Sequence, residues 1–166
     1  MKQIKTFLAA AFFLTAISVS AQTDKPLKLG IAIIPGVSLN NPAGFVLGAD
    51  ARLQHDFGNS NVSWIVTTGY THFFETKQNG IVMFPTTSFI PIKAGLKVFP
   101  AKNVYVAGEL GVGLGIESGV GTSFVYSPSV GVIVAKDWDL SIKYEHFTKY
   151  SETQQLALRV AYGFKL

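Results

Sequence analysis

The chain has 166 residues and a formal net charge of +4, with only 14% charged and 48% hydrophobic residues. Because soluble domains have about 25% charged residues, a chain of this composition would cover a water-facing surface poorly. The small net charge does not favour binding to nucleic acid. With no cysteine, the chain can form neither a disulfide nor a lipid-modified N-terminal cysteine.

The first 21 residues are typical of a secretory signal peptide. Lys2 and Lys5 precede an apolar run at residues 7–19, and Ala21 ends a stretch of small or modest side chains. This order predicts cleavage after Ala21 and a mature chain that begins at Gln22. A helical membrane anchor is the alternative, but the run is shorter than the ~20 residues that such a helix needs.

The rest of the chain is a series of segments in which apolar and polar or small residues alternate. In the last segment, Leu156, Leu158 and Val160 share one face, whereas Ala157 and Arg159 face the other way. A period of two predicts a strand, because successive side chains of a strand point to opposite sides. The predicted strands cover residues 27–34, 45–57, 61–74, 90–98, 104–116, 122–135, 138–147 and 155–166.

The connections between these strands alternate in length. Tight turns are predicted at residues 58–60, 100–102 and 136–137, and longer loops at 35–42, 75–85 and 148–153, while 118–121 is short where a loop is expected. An even strand count with turns at one end and loops at the other is typical of bacterial outer-membrane barrels. Residues 22–166 are therefore predicted to form one all-β domain, an eight-stranded antiparallel up-and-down transmembrane β-barrel.

Two prolines and one loop are unusual within this pattern. Pro91 and Pro128 fall inside predicted strands, where a proline removes a ladder hydrogen bond. We expect a bulge or kink at each, or a strand that starts later. The longest loop contains the apolar run Ile81, Val82, Met83 and Phe84, which would bind a ligand at the barrel mouth or lie against the rim.

Alternation alone leaves open which face is inside, since a soluble barrel such as a lipocalin directs its apolar face inward. Here the polar face is mostly small residues with isolated charges, which suits a narrow lumen. Charged side chains are missing from the centre of the apolar face, where each would cost about 2–4 kcal/mol in lipid. Apolar-face aromatic residues also cluster at the strand ends, as membrane-interface girdles require. The girdle residues are Phe57, Trp64, Trp138 and Phe164 near the turns, and Phe45, Tyr70, Phe74, Phe124, Tyr126 and Tyr144 near the loops.

The inward face carries a set of charged residues of both signs. They are Asp50, Arg52, Lys93, Lys97, Glu109, Lys143, Glu145 and Arg159. Eight strands enclose a lumen just wide enough for side chains to fill, and buried charges must pair. We therefore expect a network of ion pairs that fills the lumen, with Glu109 holding several cations. A narrow polar pore is the alternative.

Other candidate sites are weak, and we predict neither a cofactor nor a metal ion. The alternate glycines at residues 111–115 are not followed by a helix, so lumen packing explains them better than a phosphate-binding loop. His55, His72 and His146 lie on different strands at different depths. A metal site would require them to converge, so positions at the membrane interface are the better interpretation.

The segments IPIKAGLK (90–97), YSPSVG (126–131) and VAYGF (160–164) resemble the small outer-membrane β-barrel families, often labelled porin-like, particularly those of Bacteroidetes. The resemblance covers the mature region and implies a place in the Gram-negative outer membrane, surrounded by its lipid. It also implies that the outer-membrane assembly machinery recognises the last strand. That signal usually ends on an aromatic residue, whereas here Phe164 is followed by Lys165 and Leu166.

Three functions follow from these patterns. The leading one is a non-enzymatic barrel that contributes to envelope structure or presents loops to an unidentified partner. The second is a narrow channel for ions or small apolar solutes. The remote third is a lipid A-modifying enzyme, because EHFTK (145–149) faintly resembles the His-x-Ser-Asn motif of eight-stranded lipid A deacylases. Thr148 and Lys149 replace the motif's serine and asparagine, and the last strand offers no suitable glutamate.

Overall fold

The computed structural model describes residues 26–58, 60–135, 137–150 and 153–166. The predicted signal peptide and its cleavage site lie outside these residues. Within the described ranges, no helix is long and apolar enough to cross a membrane.

The described residues form ten strands, eight of which close into one barrel. The strands are β1 (Lys28–Ser38), β2 (Phe45–Asp56), β3 (Val62–Phe73), β4 (Thr76–Gln78), β5 (Ile81–Phe84), β6 (Thr87–Val98), β7 (Val104–Gly115), β8 (Thr122–Val134), β9 (Trp138–Phe147) and β10 (Gln154–Lys165). The barrel order is β1-β10-β9-β8-β7-β6-β3-β2, whereas β4 and β5 form a separate hairpin. All neighbouring strands are antiparallel. The predicted up-and-down barrel is confirmed.

The two ends of the barrel differ. At the end that we call the turn end, the connections are residues 57–61, 99–103 and 135–137. At the opposite loop end they are residues 39–44, 74–86, 116–121 and 148–153. The first and last strands start and finish at the turn end, where Lys28 pairs with Lys165.

The side-chain arrangement is the inverse of that of a soluble barrel. On β7 the buried Glu109 is 1% exposed, and the next residue, Leu110, is 60% exposed. The same alternation runs along the other barrel strands, because successive side chains of a strand point to opposite faces. An outer surface of exposed aliphatic and aromatic side chains is suited to lipid, and the polar residues lie in the lumen.

Two strands and one loop differ from the sequence prediction by more than one residue. β1 continues through Pro35 to Ser38 instead of ending at residue 34, because Pro35 still pairs with Leu47 on one side. β6 begins at Thr87, three residues earlier than predicted. The predicted loop 75–85 contains the β4–β5 hairpin, so this connection has its own secondary structure.

The expected bulges at Pro91 and Pro128 do not form, which corrects the prediction. The β3–β6 ladder passes from Thr68–Ile92 to Thr71–Phe89 without a change of register, and Pro91 still pairs with Gly113 on its other side. Pro128 behaves in the same way, since β8 and β9 keep their register on both sides of it. Each proline thus interrupts pairing with one neighbour only, which a strand in a closed barrel tolerates because its other ladder is intact.

Two inward glycines allow close approach of neighbouring strands. A Cβ atom on Gly95 would lie 1.9 Å from the carbonyl oxygen of Gly108, and one on Gly111 would lie 2.0 Å from that of Ile92. Both obstacles are backbone atoms, which cannot rotate away. Glycine at these positions therefore permits the strong strand coiling that a narrow barrel needs.

Candidate functional site

The lumen brings together all eight charged residues singled out in the sequence. Each of the eight is at most 6% exposed. Five barrel strands supply them, and Asp139 on β9 joins them with a side chain that is 14% exposed. We call these nine residues the lumen network: Asp50, Arg52, Lys93, Lys97, Glu109, Asp139, Lys143, Glu145 and Arg159. Within the described chain, five members of this network are cations and four are carboxylates.

Glu145 joins three groups deep in the lumen. It accepts hydrogen bonds from the ammonium groups of Lys93 and, at 3.0 Å, of Lys143. Its second oxygen accepts from the amide of Gln155 at 2.8 Å. The expectation that Glu109 would hold several cations is wrong, because its one ion pair among the described residues is to Arg52 at 2.7 Å. Glu145 has this role because Lys143 lies two residues away on the same inward face.

Arg159 and Asp50 form a forked ion pair across the barrel wall. The Nε and Nη2 atoms of Arg159 both donate to Asp50, with distances of 2.7–3.1 Å. The two residues lie on β10 and β2, with β1 between them. β1 places Gly30 and Ala32 on its inward face there, and these small residues leave room for the arginine side chain. Such bidentate pairs are among the strongest in proteins.

Near the turn end, Asp139 of the lumen network and its neighbours Tyr105 and Gln54 were not among the lumen residues singled out from the sequence. Asp139 accepts from Lys97 at 2.7 Å and from the hydroxyl of Tyr105, and it lies 3.8 Å from Arg159. Gln54 accepts from Lys97 at 3.2 Å. Asp139, Tyr105 and Gln54 point inward like the charged residues that were identified from the sequence. Strand alternation could therefore have placed them in the lumen.

Above the lumen network, the loop end of the lumen is apolar. Phe73, Phe89 and Phe147 pack together there with Val46 and Val125. The rings of Phe89 and Phe147 are stacked, with centroids 4.1 Å apart and planes 11° apart. We call these five residues the aromatic plug. The plug was not predicted from the sequence, although each phenylalanine has inward parity on its strand.

Two loops cover the aromatic plug. Val120, from the β7–β8 loop, packs against the plug together with Tyr150, from the β9–β10 loop. Lys149 Nζ donates to the carbonyl oxygen of Val120 at 2.6 Å, and the Tyr150 hydroxyl donates to the same atom at 3.0 Å. These contacts tie the two loops to each other over the mouth of the barrel.

A carboxylate in the same loop region anchors the start of β6. The backbone N–H of Ser88 donates to Glu117 Oε2 at 2.7 Å. Burial tends to raise the pKa of the Glu117 carboxyl, but the hydrogen bonds from Ser88 outweigh it and hold this pKa below its ordinary value. The charged form of Glu117 is therefore the one that the loop end stabilises.

Below the lumen network, the turn end of the lumen is open and polar. A cavity of about 800 Å³ lies there, and we call it the turn-end cavity. Its inner wall includes Arg52, Lys97, Asp139 and Arg159 of the lumen network, and residues 99–103 contribute to its rim. The lumen thus has three layers from the loop end to the turn end: an apolar plug, an ion-pair network and a wide polar cavity.

The predicted girdle residues all lie on the outer face, exposed or half-buried. At the turn end, Trp138 packs against Tyr162 with ring centroids 5.4 Å apart. At the loop end, Phe45 packs against Phe74 at 5.4 Å and Tyr126 against Tyr144 at 5.8 Å. Tyr162 lies on the same outer face but was not predicted from the sequence as one of these residues. That these rings lie at the two lipid interfaces stays a prediction.

The histidines lie among these outer aromatic rings. His55 is 5.8 Å from the ring of Trp64, His72 is 4.4 Å from that of Phe74, and His146 is 5.5 Å from that of Tyr126. Among the described residues, no group of three or more histidine or acidic side chains could hold a metal ion.

The faint deacylase-like segment does not form a base–nucleophile pair. The Thr148 hydroxyl donates to the carbonyl oxygen of Phe124 at 3.2 Å, while His146 Nδ1 contacts the hydroxyl of Tyr126 at 3.3 Å. His72 Nδ1 does lie 2.8 Å from Ser88 Oγ, but Ser88 is only 2% exposed. A nucleophile must reach its substrate, and this geometry gives no support to that chemistry.

Comparisons with known proteins identify the fold. No family model matches the sequence, and no curated protein is similar to it in sequence. Among solved structures, the attachment invasion locus protein Ail of Yersinia pestis has a TM-score of 0.58 at 15% identity, over 86% of this chain and 100% of Ail. Neisserial surface protein A has a TM-score of 0.57 at 13% identity, over 84% of this chain and 97% of the other.

A third similar structure is a designed one. A de novo transmembrane β-barrel has a TM-score of 0.55 at 13% identity and covers 86% of this chain and 100% of the designed chain. Identities this low show only that the fold is shared. The resemblance to barrels of Bacteroidetes in particular stays a prediction.

Proposed function

From the fold of the small eight-stranded outer-membrane barrels, which this chain shares, we propose that the protein is a non-enzymatic outer-membrane barrel with a closed lumen. Its role is to contribute to envelope structure and to present its loops at the cell surface. The observation that carries this proposal is the filling of the lumen by the aromatic plug and the lumen network. An eight-stranded lumen is just wide enough for side chains to fill it.

Single-channel recording in a planar bilayer tests the closed lumen. Protein shown to be folded and inserted should give no discrete conductance steps. Phe89→Ala combined with Phe147→Ala removes the two stacked rings of the aromatic plug, and this variant should conduct. The matched control is Phe45→Ala combined with Phe74→Ala, which removes an outward-facing ring pair at the same end of the barrel.

A narrow channel for ions or small solutes is the second candidate, and the turn-end cavity is the observation that favours it. Stable conductance steps from the unmodified protein would establish the channel and overturn the closed lumen. A silent bilayer with both the unmodified protein and the double plug variant would show instead that the lumen network alone blocks the passage of ions.

The β4–β5 hairpin is the surface that we assign to partner contact. At its tip, Ile81 is 66% exposed, and Val82 and Met83 are each 45% exposed. Apolar side chains exposed together commonly mark interaction surfaces. Their exposure favours contact with a partner over packing on the barrel rim, the other possibility weighed from the sequence.

Adhesion measurements test this assignment. Cells that display the protein should adhere to a hydrophobic surface more strongly than cells with Ile81, Val82, Met83 and Phe84 all replaced by serine. A control variant, Lys77→Gln with Glu75→Gln, removes an exposed ion pair of the same loop and should adhere as the unmodified protein does. Equal adhesion by the serine variant would remove the hairpin from this role.

Export and assembly complete the proposal. The chain is secreted with cleavage after Ala21, and the assembly machinery of the outer membrane recognises β10. N-terminal sequencing of the membrane-bound protein should begin at Gln22. Deleting Lys165 and Leu166 places Phe164 at the end of the chain, and assembly of this variant should be at least as efficient. Protein that starts at Met1, or remains in the inner membrane, would contradict the export scheme.

A further inference from the structure

The turn-end cavity has the size and shape of a binding site. Its volume is about 800 Å³, and sites for small organic ligands commonly enclose about 300–1,000 Å³. The cavity ends at the lumen network, and the aromatic plug lies beyond that network. A solute entering from the aqueous phase at the turn end would therefore meet an inner wall of charged side chains.

The inner wall of this cavity is rich in cationic donors. Arg52, Lys97 and Arg159 all reach it. Asp139 is the carboxylate that lines the wall beside them, 2.7 Å from Lys97 and 3.8 Å from Arg159. The remaining carboxylates paired to the two arginines, Asp50 and Glu109, lie deeper in the lumen.

One of these donors is incompletely satisfied. Arg52 is 97% buried, since its exposed fraction is 3%. Its Nε donates to Thr67 and its Nη2 to Glu109. Its Nη1 has no hydrogen-bond partner within the described residues. A buried guanidinium N–H is costly without an acceptor, and this one belongs to a residue that lines the cavity.

The outer part of the cavity adds positive charge and apolar surface. Of the described residues that line it, six are cationic and three are acidic. The rim includes Lys102 and Lys165, as well as Asp137 and the ion pair of Lys28 with Asp56 at 3.2 Å. Phe99 and Ile133 also line it. A ligand with one anionic end and one apolar end matches this distribution of charge.

We propose that the turn-end cavity binds a small organic oxyanion, a carboxylate or phosphate group attached to an apolar or aromatic body. Arg52 binds the oxyanion through its unpartnered Nη1, because a guanidinium suits carboxylate and phosphate oxygens. Lys97, whose ammonium already donates to Asp139 and Gln54, adds positive charge beside it. Phe99 and Ile133 contact the body of the ligand. This site is separate from the loop-end surface and does not depend on any role of the loops.

Isothermal titration calorimetry of the full protein in a zwitterionic detergent tests the site with three probes of similar size. Phenyl phosphate and benzoate carry the anionic group, and benzyl alcohol lacks it. Both anions should bind, and benzyl alcohol should bind at least about 10-fold more weakly, as expected when hydrogen bonds to charged groups are lost. Absence of anion binding, or equal affinity for the alcohol, overturns the proposal.

Variants locate the binding. Arg52→Gln combined with Glu109→Gln removes one whole ion pair, so neither partner is left as an uncompensated charge, and it should weaken anion binding by about 10-fold or more. Lys77→Gln with Glu75→Gln removes an ion pair at the opposite end and should leave the affinity unchanged. Lys102→Glu reverses an exposed rim charge without touching the buried network. It should weaken anion binding by less than the first variant does, and it tests the site even if the first variant fails to fold.

The source of the oxyanion is tested in nanodiscs. If the natural ligand is soluble, phenyl phosphate should bind with the same affinity in nanodiscs with and without anionic lipid, at equal free concentration. If anionic lipid abolishes the binding of phenyl phosphate, a lipid headgroup is the occupant and the proposed soluble ligand is wrong. Unchanged affinity in both the Arg52/Glu109 and the Lys102 variants would also overturn the site.

Discussion

Replacing Glu145 by glutamine removes the negative charge at the centre of the lumen network while keeping the shape of the side chain. Glu145 is fully buried and pairs with two lysines whose side chains are 1% and 2% exposed. In Glu145→Gln both ammonium groups lose the carboxylate that they share. Removing one partner of a buried ion pair costs about 3–5 kcal/mol, and we expect the free energy of unfolding to fall by that amount.

Lys143→Met is the matched control for this prediction. The lumen network has five cations and four carboxylates within the described chain, so this change removes the surplus cation and leaves Lys93 paired with Glu145. The free energy of unfolding should change by less than about 1 kcal/mol, because a desolvated charge disappears together with its ion pair. The two variants act on neighbouring atoms and differ in whether an uncompensated charge remains.

Equilibrium unfolding by urea in lipid vesicles measures both variants. The chain contains two tryptophans, Trp64 and Trp138, on the outer face near the turn end, so their fluorescence reports the loss of contact with lipid. An unchanged unfolding midpoint for Glu145→Gln would refute the reasoning. So would equal destabilisation by Lys143→Met, because the charge balance would then have no influence on stability.

The remaining predictions use the same protein. Gly95→Ala should lower the unfolding midpoint strongly, because the new Cβ atom meets backbone atoms of the neighbouring strand. Gly108→Ala should leave the midpoint unchanged, because a Cβ atom there has nothing within 4 Å. Similar midpoints for the two variants would contradict the close approach of the strands. Glu109→Gln should cost about 3 kcal/mol, since one buried guanidinium loses its carboxylate. The lowered pKa of Glu117 means that its stabilising contact is fully present above the ordinary pKa and is lost as the pH falls through the lowered one. The protection factor of the Ser88 amide, which is its exchange rate corrected for the intrinsic effect of pH, should therefore fall in acid, and an unchanged protection factor would count against that contact.

The sequence predicted the orientation of side chains well, because strand alternation is a local property. Glu109 and Leu110 point to opposite faces wherever the strand lies in the barrel. Asp139 and Tyr105 have the same inward parity as Glu109, but they were overlooked because they lie near strand ends.

The pairing inside the lumen was not predictable in the same way. Which charges meet depends on the depth of each residue and on strands that are not neighbours in the sequence. Lys93 on β6 reaches Glu145 on β9, and these strands are separated by β7 and β8. The aromatic plug was missed for a related reason, since Phe73, Phe89 and Phe147 are brought together from three strands only when the barrel closes.

The layering of the lumen also determines where a membrane voltage would act. Water in the turn-end cavity carries the potential of the aqueous phase at that end deep into the barrel. The voltage therefore falls mainly across the dry layer formed by the buried lumen network and the aromatic plug. A unit charge that crosses the full membrane gains about 2.3 kcal/mol per 100 mV. An anion bound beside Lys97, on the cavity side of that layer, would cross only a small part of this potential, so its affinity should hardly depend on voltage.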